Sequence, residues 1–326
     1  MKAIPEHTSR ARFLAPRFWP TWLGMSLARL LQLLPYRLQL PAGPMMGRLF
    51  MLLNPYRRLI VNTNLALCFP ELDDRERQQL YRRVVRSLGL SLVEEASSIW
   101  APDTFFDHMG TVQGLEHIAA AQAQGKGVLL LSGHFCSVDF AGRVLLRHHP
   151  VCFTYQELRN PLSNHILTAA RKKFAHCIIH RHDIRGFIKT LKAGEVVWYA
   201  PDQSQARKNS VFAPFFGIQA NTLTATTKLV KMTGAVVLPF EIRRRPDAMG
   251  YALTIQAPLE DFPGNNEEAD AARFNALLEA QVRENPDQYL WIHRRFKARP
   301  VGEPRLYPKK PRRAKRAKRE QRKAQQ

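Results

Sequence analysis

Leu131–Phe140 reads LSGHFCSVDF: an aliphatic run ends at Gly133, and a histidine, His134, precedes an aspartate, Asp139, by five positions. The run Gly127–Leu131 (GVLLL) is short, apolar and β-friendly, which predicts a buried parallel strand, and Ser137 followed by Val138, Asp139 and Phe140 predicts a helix start. His134 then falls at the carboxyl end of a strand, where open α/β sheets bind their ligands. An aspartate in the first helical turn is favoured there by the backbone amide dipoles. On one continuous helix the two side chains would lie about 140° apart; a strand-to-helix corner can bring them together. Taken alone, such a pair is more often a solvated loop histidine and a capping aspartate than an active-site corner. The flanking chain decides between the two.

Downstream of this corner, helices and strands alternate. Helices are predicted at 138–147, 161–174, 184–191 and 224–232, and strands at 151–155, 177–179, 195–200, 235–240 and 251–255, with further helical stretches at 269–284 and around 287–293. This alternation predicts an α/β fold with a mostly parallel central sheet flanked by helices. Upstream, residues 54–100 read as helical, with Asp73, Asp74 and Arg75 opening a long amphipathic run in which Leu80, Val84, Leu88 and Leu92 are expected as core contacts.

The chain has 326 residues, 45% of them hydrophobic and 23% charged, ordinary for a globular protein, but its formal net charge is +22. Residues 308–326 (PKKPRRAKRAKREQRKAQQ) carry ten Lys/Arg against one Glu and are expected to be a disordered basic tail. The basic excess that remains on residues 1–307 favours acidic partners: a phosphorylated lipid, an anionic membrane face, an acidic carrier protein or nucleic acid. Residues 1–17 form a basic N-terminal segment without a cleavage pattern for a signal peptide. Residues 18–36 (FWPTWLGMSLARLLQLLPY) are the predicted membrane-associating helix, of about the length needed to span and with Trp19, Trp22 and Tyr36 near its ends. Arg29 makes spanning marginal, and the alternative is a helix lying in the interface with Leu27, Leu30, Leu31 and Leu34 towards the lipid. Cys68, Cys136, Cys152 and Cys177 show neither a CxxC pair nor metal spacing and are expected to be thiols in a reducing compartment.

Asp202 follows Pro201 just past the strand EVVWYA, another carboxyl end that could face the same crevice as His134. Arg171 could offer a fixed guanidinium to a carboxylate, a phosphate or a developing oxyanion, or could belong to a basic helix surface. Phe212, Phe215 and Phe216, in VFAPFFG, are apolar enough to line a slot for a chain, although aromatic clusters are more often core. No G-x-S-x-G elbow, P-loop, H-E-x-x-H or Cys/His metal set occurs, which argues against serine hydrolases, P-loop NTPases and metalloenzymes. Nothing near Cys136 marks it as a nucleophile.

GHFCSVD matches the H-x-x-x-x-(D/E) motif of the lysophospholipid acyltransferase superfamily, and the blocks around it resemble its bacterial lipid A branch. NLALCFPEL (64–72), GLEHI (114–118), NPL (160–162), KAGEVVWYAPD (192–202), VFAPFFG (211–217) and QYLWIHRRFKARPVGEPRLY (288–307) are all similar to late lipid A biosynthesis acyltransferases, especially the lauroyltransferase type. The resemblance implies an acyltransferase domain over 37–307. By position, it also implies His134 as general base, Asp139 orienting it, and Arg171 and Asp202 as further residues needed for activity. Asp139 stands where this branch usually has glutamate. The implied reaction moves a fatty acyl chain, expected to be lauroyl, from acyl carrier protein to a hydroxyacyl chain of di-Kdo lipid IVA at the cytoplasmic face of the inner membrane. No metal or diffusible cofactor is expected. The acidic carrier and the anionic lipid A precursor suit the basic body, and nucleic acid is not an expected partner. Two other readings keep their own predictions: the same fold acting on a lysophospholipid, and a nucleic-acid-binding protein working through the basic tail.

Overall fold

A computed structural model of the chain describes residues 10–204 and 209–308. The expected basic tail, apart from Pro308, and most of the N-terminal basic segment lie outside the described residues. The helical N-terminal part comprises α1 (Trp19–Leu31), α2 (Tyr36–Gln39), α3 (Ala42–Leu53), α4 (Pro55–Cys68) and α5 (Asp74–Trp100). Asp73 starts α5 through a capping box: its side chain accepts from the Glu76 amide, and the Glu76 side chain accepts from its own.

The α/β part follows as β1 (Gly110–Gln113), α6 (Leu115–Ala123), β2 (Val128–Leu131), α7 (Val138–Leu146), β3 (Cys152–Tyr155), α8 (Pro161–Phe174), β4 (Cys177–His180), α9 (Ile184–Lys192) and β5 (Val196–Tyr199). A hairpin, β6 (Ser210–Phe215) and β7 (Ile218–Leu223), precedes α10 (Ala225–Thr233), β8 (Val236–Arg244), β9 (Tyr251–Ile255) and α11 (Glu267–Glu284). The main sheet has the order β1-β9-β8-β2-β5-β3-β4, parallel throughout except where β8 meets β9. The predicted α/β fold with a mostly parallel sheet is therefore present.

The central strands read as unbroken apolar runs because both of their faces are covered. Leu129 and Leu131 of β2 pack with Phe187, Leu191, Leu229 and Leu278 on one side, while Val128 and Leu130 pack with Ile118, Phe140 and Val144 on the other. All four β2 residues are at most 3% exposed, and burying each contributes about 1.5–3 kcal/mol.

Three expectations need correction. The stretch 18–36 is not one helix: α1 has 13 residues, about 20 Å at ~1.5 Å per residue, and no helix among the described residues is long and apolar enough to cross a membrane. Within this stretch Arg29 lies over the Trp100 ring and Gln32 is bonded to Gln39 and to the Val93 carbonyl; Leu31 packs against the core, while Leu27, Leu30 and Leu34 are exposed. The stretch around 287–293 is not helical, because Phe135 and Tyr289 pair as an antiparallel bridge. Finally, Cys152 and Cys177 are joined as a disulfide; they stand opposite each other in the β3–β4 register, with Cα atoms 4.4 Å apart. Cys68 and Cys136 are free and buried.

Helix α3 crosses α5 at very short range. A β-carbon at Gly47 would lie 2.1 Å from the Val85 carbonyl oxygen, and one at Gly89 would lie 1.9 Å from that of Gly43. Only hydrogen fits there, so the crossing is fixed by backbone contact, and Met45, Leu49, Leu52 and Leu53 stay exposed on the outside of α3.

Candidate active site

Strands β2 and β5 are hydrogen-bonded neighbours in which Leu131 pairs with Tyr199. His134 and Asp202 each lie three residues beyond that pair, so the register brings them level at the carboxyl end of the sheet. The His134 ring holds an Asp202 carboxylate oxygen with Nδ1, and its main-chain N–H donates to the other oxygen at 3.1 Å. The Tyr289 hydroxyl also donates to Asp202, at 2.9 Å. The histidine loop is stitched to the C-terminal segment twice more: the Cys136 amide donates to the Gln288 carbonyl at 2.7 Å, and the Leu290 amide to the His134 carbonyl at 2.9 Å.

The His134 side chain is 31% exposed and that of Asp202 2%, so a substrate can reach the imidazole but not the carboxylate. Burial alone would lower the histidine's pKa, but the Asp202 charge and hydrogen bond outweigh it and raise it above the usual value. Burial alone would raise the pKa of Asp202; His134 overrides this and holds the carboxyl well below the usual carboxylate range. With Nδ1 engaged, Nε2 is the ring nitrogen left to handle a substrate proton.

Asp139 is placed differently from the expectation. Its carboxylate is gripped side-on by Arg171, Nε to Oδ1 at 2.6 Å and Nη2 to Oδ2 at 2.5 Å. Glu95 on α5 joins this pair through a side-chain hydrogen bond to Asp139. Burial, then the Asp139 charge, push the Glu95 carboxyl well above its usual range. The four residues singled out from sequence thus form two pairs, His134 with Asp202 and Asp139 with Arg171. The histidine takes its carboxylate from across the sheet instead of from its own motif.

Between the strand and α7, Ser137 adopts a left-handed conformation (φ 63°) and its hydroxyl donates to Glu94. Glu94 in turn is held by Arg244 at 2.5 and 2.6 Å and by the Tyr251 hydroxyl at 2.8 Å, and Arg244 also bonds the Ser87 hydroxyl at 2.6 Å. This fully buried network ties the corner to α5, β8 and β9, and its charge is compensated on all sides. Glu94, Glu95, Arg244 and Tyr289 were missed in the sequence. The available signal was the pair of carboxylates, Glu94 and Glu95, amid the small and apolar residues of SLVEEASS.

His134 opens into a cavity of about 310 Å³. Phe187, Tyr199, Leu223 and Leu229 give it an apolar floor, and the exposed Ile184 joins Gln156, Arg181, His182, Gln203 and Asn209 in a largely polar rim. Phe212, Phe215 and Phe216 do not line it. Strand alternation and the β6–β7 turn, packed on α11, bury Phe215 and Phe216 against Phe69, Tyr289, Trp291 and Phe296, so these two are core and the expected aromatic slot is absent there. Phe212 is half-buried on β6.

A carboxylate-held histidine beside an apolar-floored cavity at the carboxyl end of a parallel sheet is equipped for base-assisted group transfer onto a hydroxyl. The chain belongs to the bacterial lipid A biosynthesis acyltransferase family, whose profile matches residues 7–298. It is 39% identical over 308 residues to the lipid A biosynthesis lauroyltransferase of Escherichia coli K12, covering 94% of this chain and all of that one. It is 38% identical to the palmitoleoyltransferase of the same strain, covering 93% and 99%, and 29% identical to its myristoyltransferase, covering 94% and 95%. The protein is an acyltransferase of this family.

Proposed function

We propose that the enzyme transfers a fatty acyl chain, lauroyl, from the thioester of acyl carrier protein to the hydroxyl of a hydroxyacyl chain on di-Kdo lipid IVA. The observation that carries this reading is His134, oriented by Asp202 and exposed at the mouth of the cavity. A secondary hydroxyl has a pKa far above neutrality, so its attack on a thioester requires proton removal as the bond forms. His134 Nε2 accepts that proton while the oxygen adds to the carbonyl. Asp202 holds the ring and stabilises the imidazolium. Collapse of the tetrahedral intermediate breaks the C–S bond, and the imidazolium returns its proton to the departing thiolate, giving an ester and the free carrier thiol. The floor formed by Phe187, Leu223 and Leu229 receives the acyl chain, and the Asp139–Arg171–Glu95 group fixes α7 to α8 and α5 behind the corner.

The protein works at the cytoplasmic face of the inner membrane, lying in the interface rather than spanning it. This is supported by the position of its exposed large apolar side chains, fourteen of eighteen of which among the described residues fall between Leu14 and Leu59. The basic body faces anionic lipid and the acidic carrier. Purified protein given acyl carrier protein loaded with chains of graded length, together with di-Kdo lipid IVA or lysophospholipid, is read by mass spectrometry. The expected product is di-Kdo lipid IVA heavier by one lauroyl group, and none with His134→Ala. Unchanged turnover in His134→Ala rejects the mechanism, and preferred acylation of lysophospholipid rejects the acceptor.

A further inference from the structure

Three metal-donor side chains, Cys152, His176 and Glu195, meet at the other end of the sheet, away from His134, and a fourth, Cys177, is bonded to the first of them. Cys152 begins β3, Cys177 begins β4 with His176 just before it, and Glu195 immediately precedes β5. These strands are neighbours in the order β5-β3-β4, so their amino ends lie side by side. The donor atoms of Cys152, His176 and Glu195 all lie within 4.8 Å of one another, and the Cys177 sulfur is bonded to that of Cys152. His176 Nε2 and a Glu195 carboxylate oxygen are 3.1 Å apart. In a tetrahedral zinc site with bonds of ~2.0–2.3 Å, neighbouring donors are separated by about 3.3–3.8 Å; the donors of Cys152, His176 and Glu195 lie within about an ångström of that spacing, and Cys177 would turn towards them once released from Cys152.

We propose that the reduced protein binds one Zn²⁺ here, through Cys152, Cys177, His176 and Glu195. Two thiolates, one imidazole and one carboxylate form a donor set suited to this borderline-soft cation, and all four positions being filled by protein makes the site structural. Cys152 is 1% exposed, whereas the side chains of His176 and Glu195 are 44% and 37% exposed, so the ion enters from the solvent side and closes over a buried sulfur. Bound metal clamps the starts of three strands, including the edge strand β4, whose far end carries His180 and leads into Arg181 and His182 at the cavity rim. The site escaped the sequence because its ligands come from three separate strands with no common linear spacing. The disulfide and the metal exclude each other. Reduction by a trialkylphosphine converts disulfide, phosphine and water to two thiols and the phosphine oxide; the two thiols and Zn²⁺ then give the dithiolate complex and release two protons.

The test uses full-length protein reduced with a trialkylphosphine and titrated with Co²⁺ as a spectroscopic probe, followed by displacement with Zn²⁺. Wild type is expected to show thiolate-to-cobalt charge-transfer absorption saturating at one equivalent, and Zn²⁺ should abolish it and raise the unfolding temperature. Cys177→Ser should bind more weakly and with roughly half the charge-transfer intensity, the doubly substituted His176→Gln/Glu195→Gln protein should bind at least tenfold more weakly, and Cys68→Ser should match wild type. The paired Gln substitutions alter only half-exposed side chains, so they remain informative should Cys177→Ser fail to fold. Absence of the band in reduced wild type, or equal affinity in the paired variant, overturns the proposal.

Discussion

Replacing Asp202 with asparagine keeps the side chain's shape and removes its charge. In the native site this buried carboxylate accepts from the His134 ring, the His134 main chain and the Tyr289 hydroxyl. Breaking a buried ion pair at one partner costs about 3–5 kcal/mol, and here the ring forms an ion pair only once it has accepted the substrate proton. The loss therefore falls mainly on the transition state. At ~1.36 kcal/mol per decade, kcat is expected to drop by about 10²- to 10⁴-fold with little change in KM. The assay is steady-state transfer from acyl carrier protein across a pH series, with thermal unfolding to confirm that each variant is folded. Because only neutral His134 can act as base, wild-type kcat/KM should rise with pH through a midpoint above the usual histidine value of about 6.5. Asp202→Asn leaves burial as the dominant influence on the ring and should move that midpoint down. Asp139→Asn should not move it, since Asp139 is held by Arg171. A midpoint that shifts in Asp139→Asn but not in Asp202→Asn, or an Asp202→Asn rate within threefold of wild type, refutes the assignment of His134's partner.

The same pair should be visible in stability. Asp202 stabilises the fold above its unfolded pKa of ~3.9 and loses this contribution as pH falls through its lower folded value. His134 contributes fully below ~6.5 and loses its contribution as pH rises through its raised folded value, so the urea-unfolding difference between wild type and His134→Ala should peak between those limits and shrink in alkali. Leu229→Trp should shorten the preferred acyl chain, as shown by products from a donor mixture, whereas Phe216→Ala should leave chain preference alone and cost about 3–5 kcal/mol in stability. Leu27→Asp combined with Leu49→Asp should release the protein from anionic vesicles in a flotation assay without lowering its unfolding temperature, because both side chains are more than half exposed.

Local signals located most of the fold. Asn160 followed by Pro161 marks the start of α8, and the Asn160 side chain accepts from the amides of Leu162 and Ser163. The apolar run before Gly133 is β2, buried at every position. Where prediction failed, the deciding contacts were distant in sequence. The motif spacing draws attention to His134 and Asp139, yet the carboxylate on the imidazole comes from a residue 68 positions away, through a strand pairing that no local pattern encodes. VFAPFFG looks like a ligand wall because its composition is that of one, but strand alternation buries Phe215 and the left-handed turn after it buries Phe216. Around Asp287–His293 the apolar residues have a helical look, but after Asn285 the chain turns, with the Gln288 amide donating to the Asn285 carbonyl, so that Tyr289 pairs with Phe135 and reaches Asp202.

The stitching of the histidine loop to Gln288, Tyr289 and Leu290 sets an order of events during synthesis. Until the ribosome has passed residue 290, the imidazole lacks Tyr289's support for its carboxylate and the main-chain bonds that hold its loop. The apolar face ending with α3 leaves the ribosome about 237 residues earlier, roughly 10–50 s at ~5–20 residues per second. A growing chain therefore presents its exposed apolar face well before the histidine loop is held, and a chain broken off before residue 288 keeps that face while lacking Tyr289 and the loop's main-chain bonds.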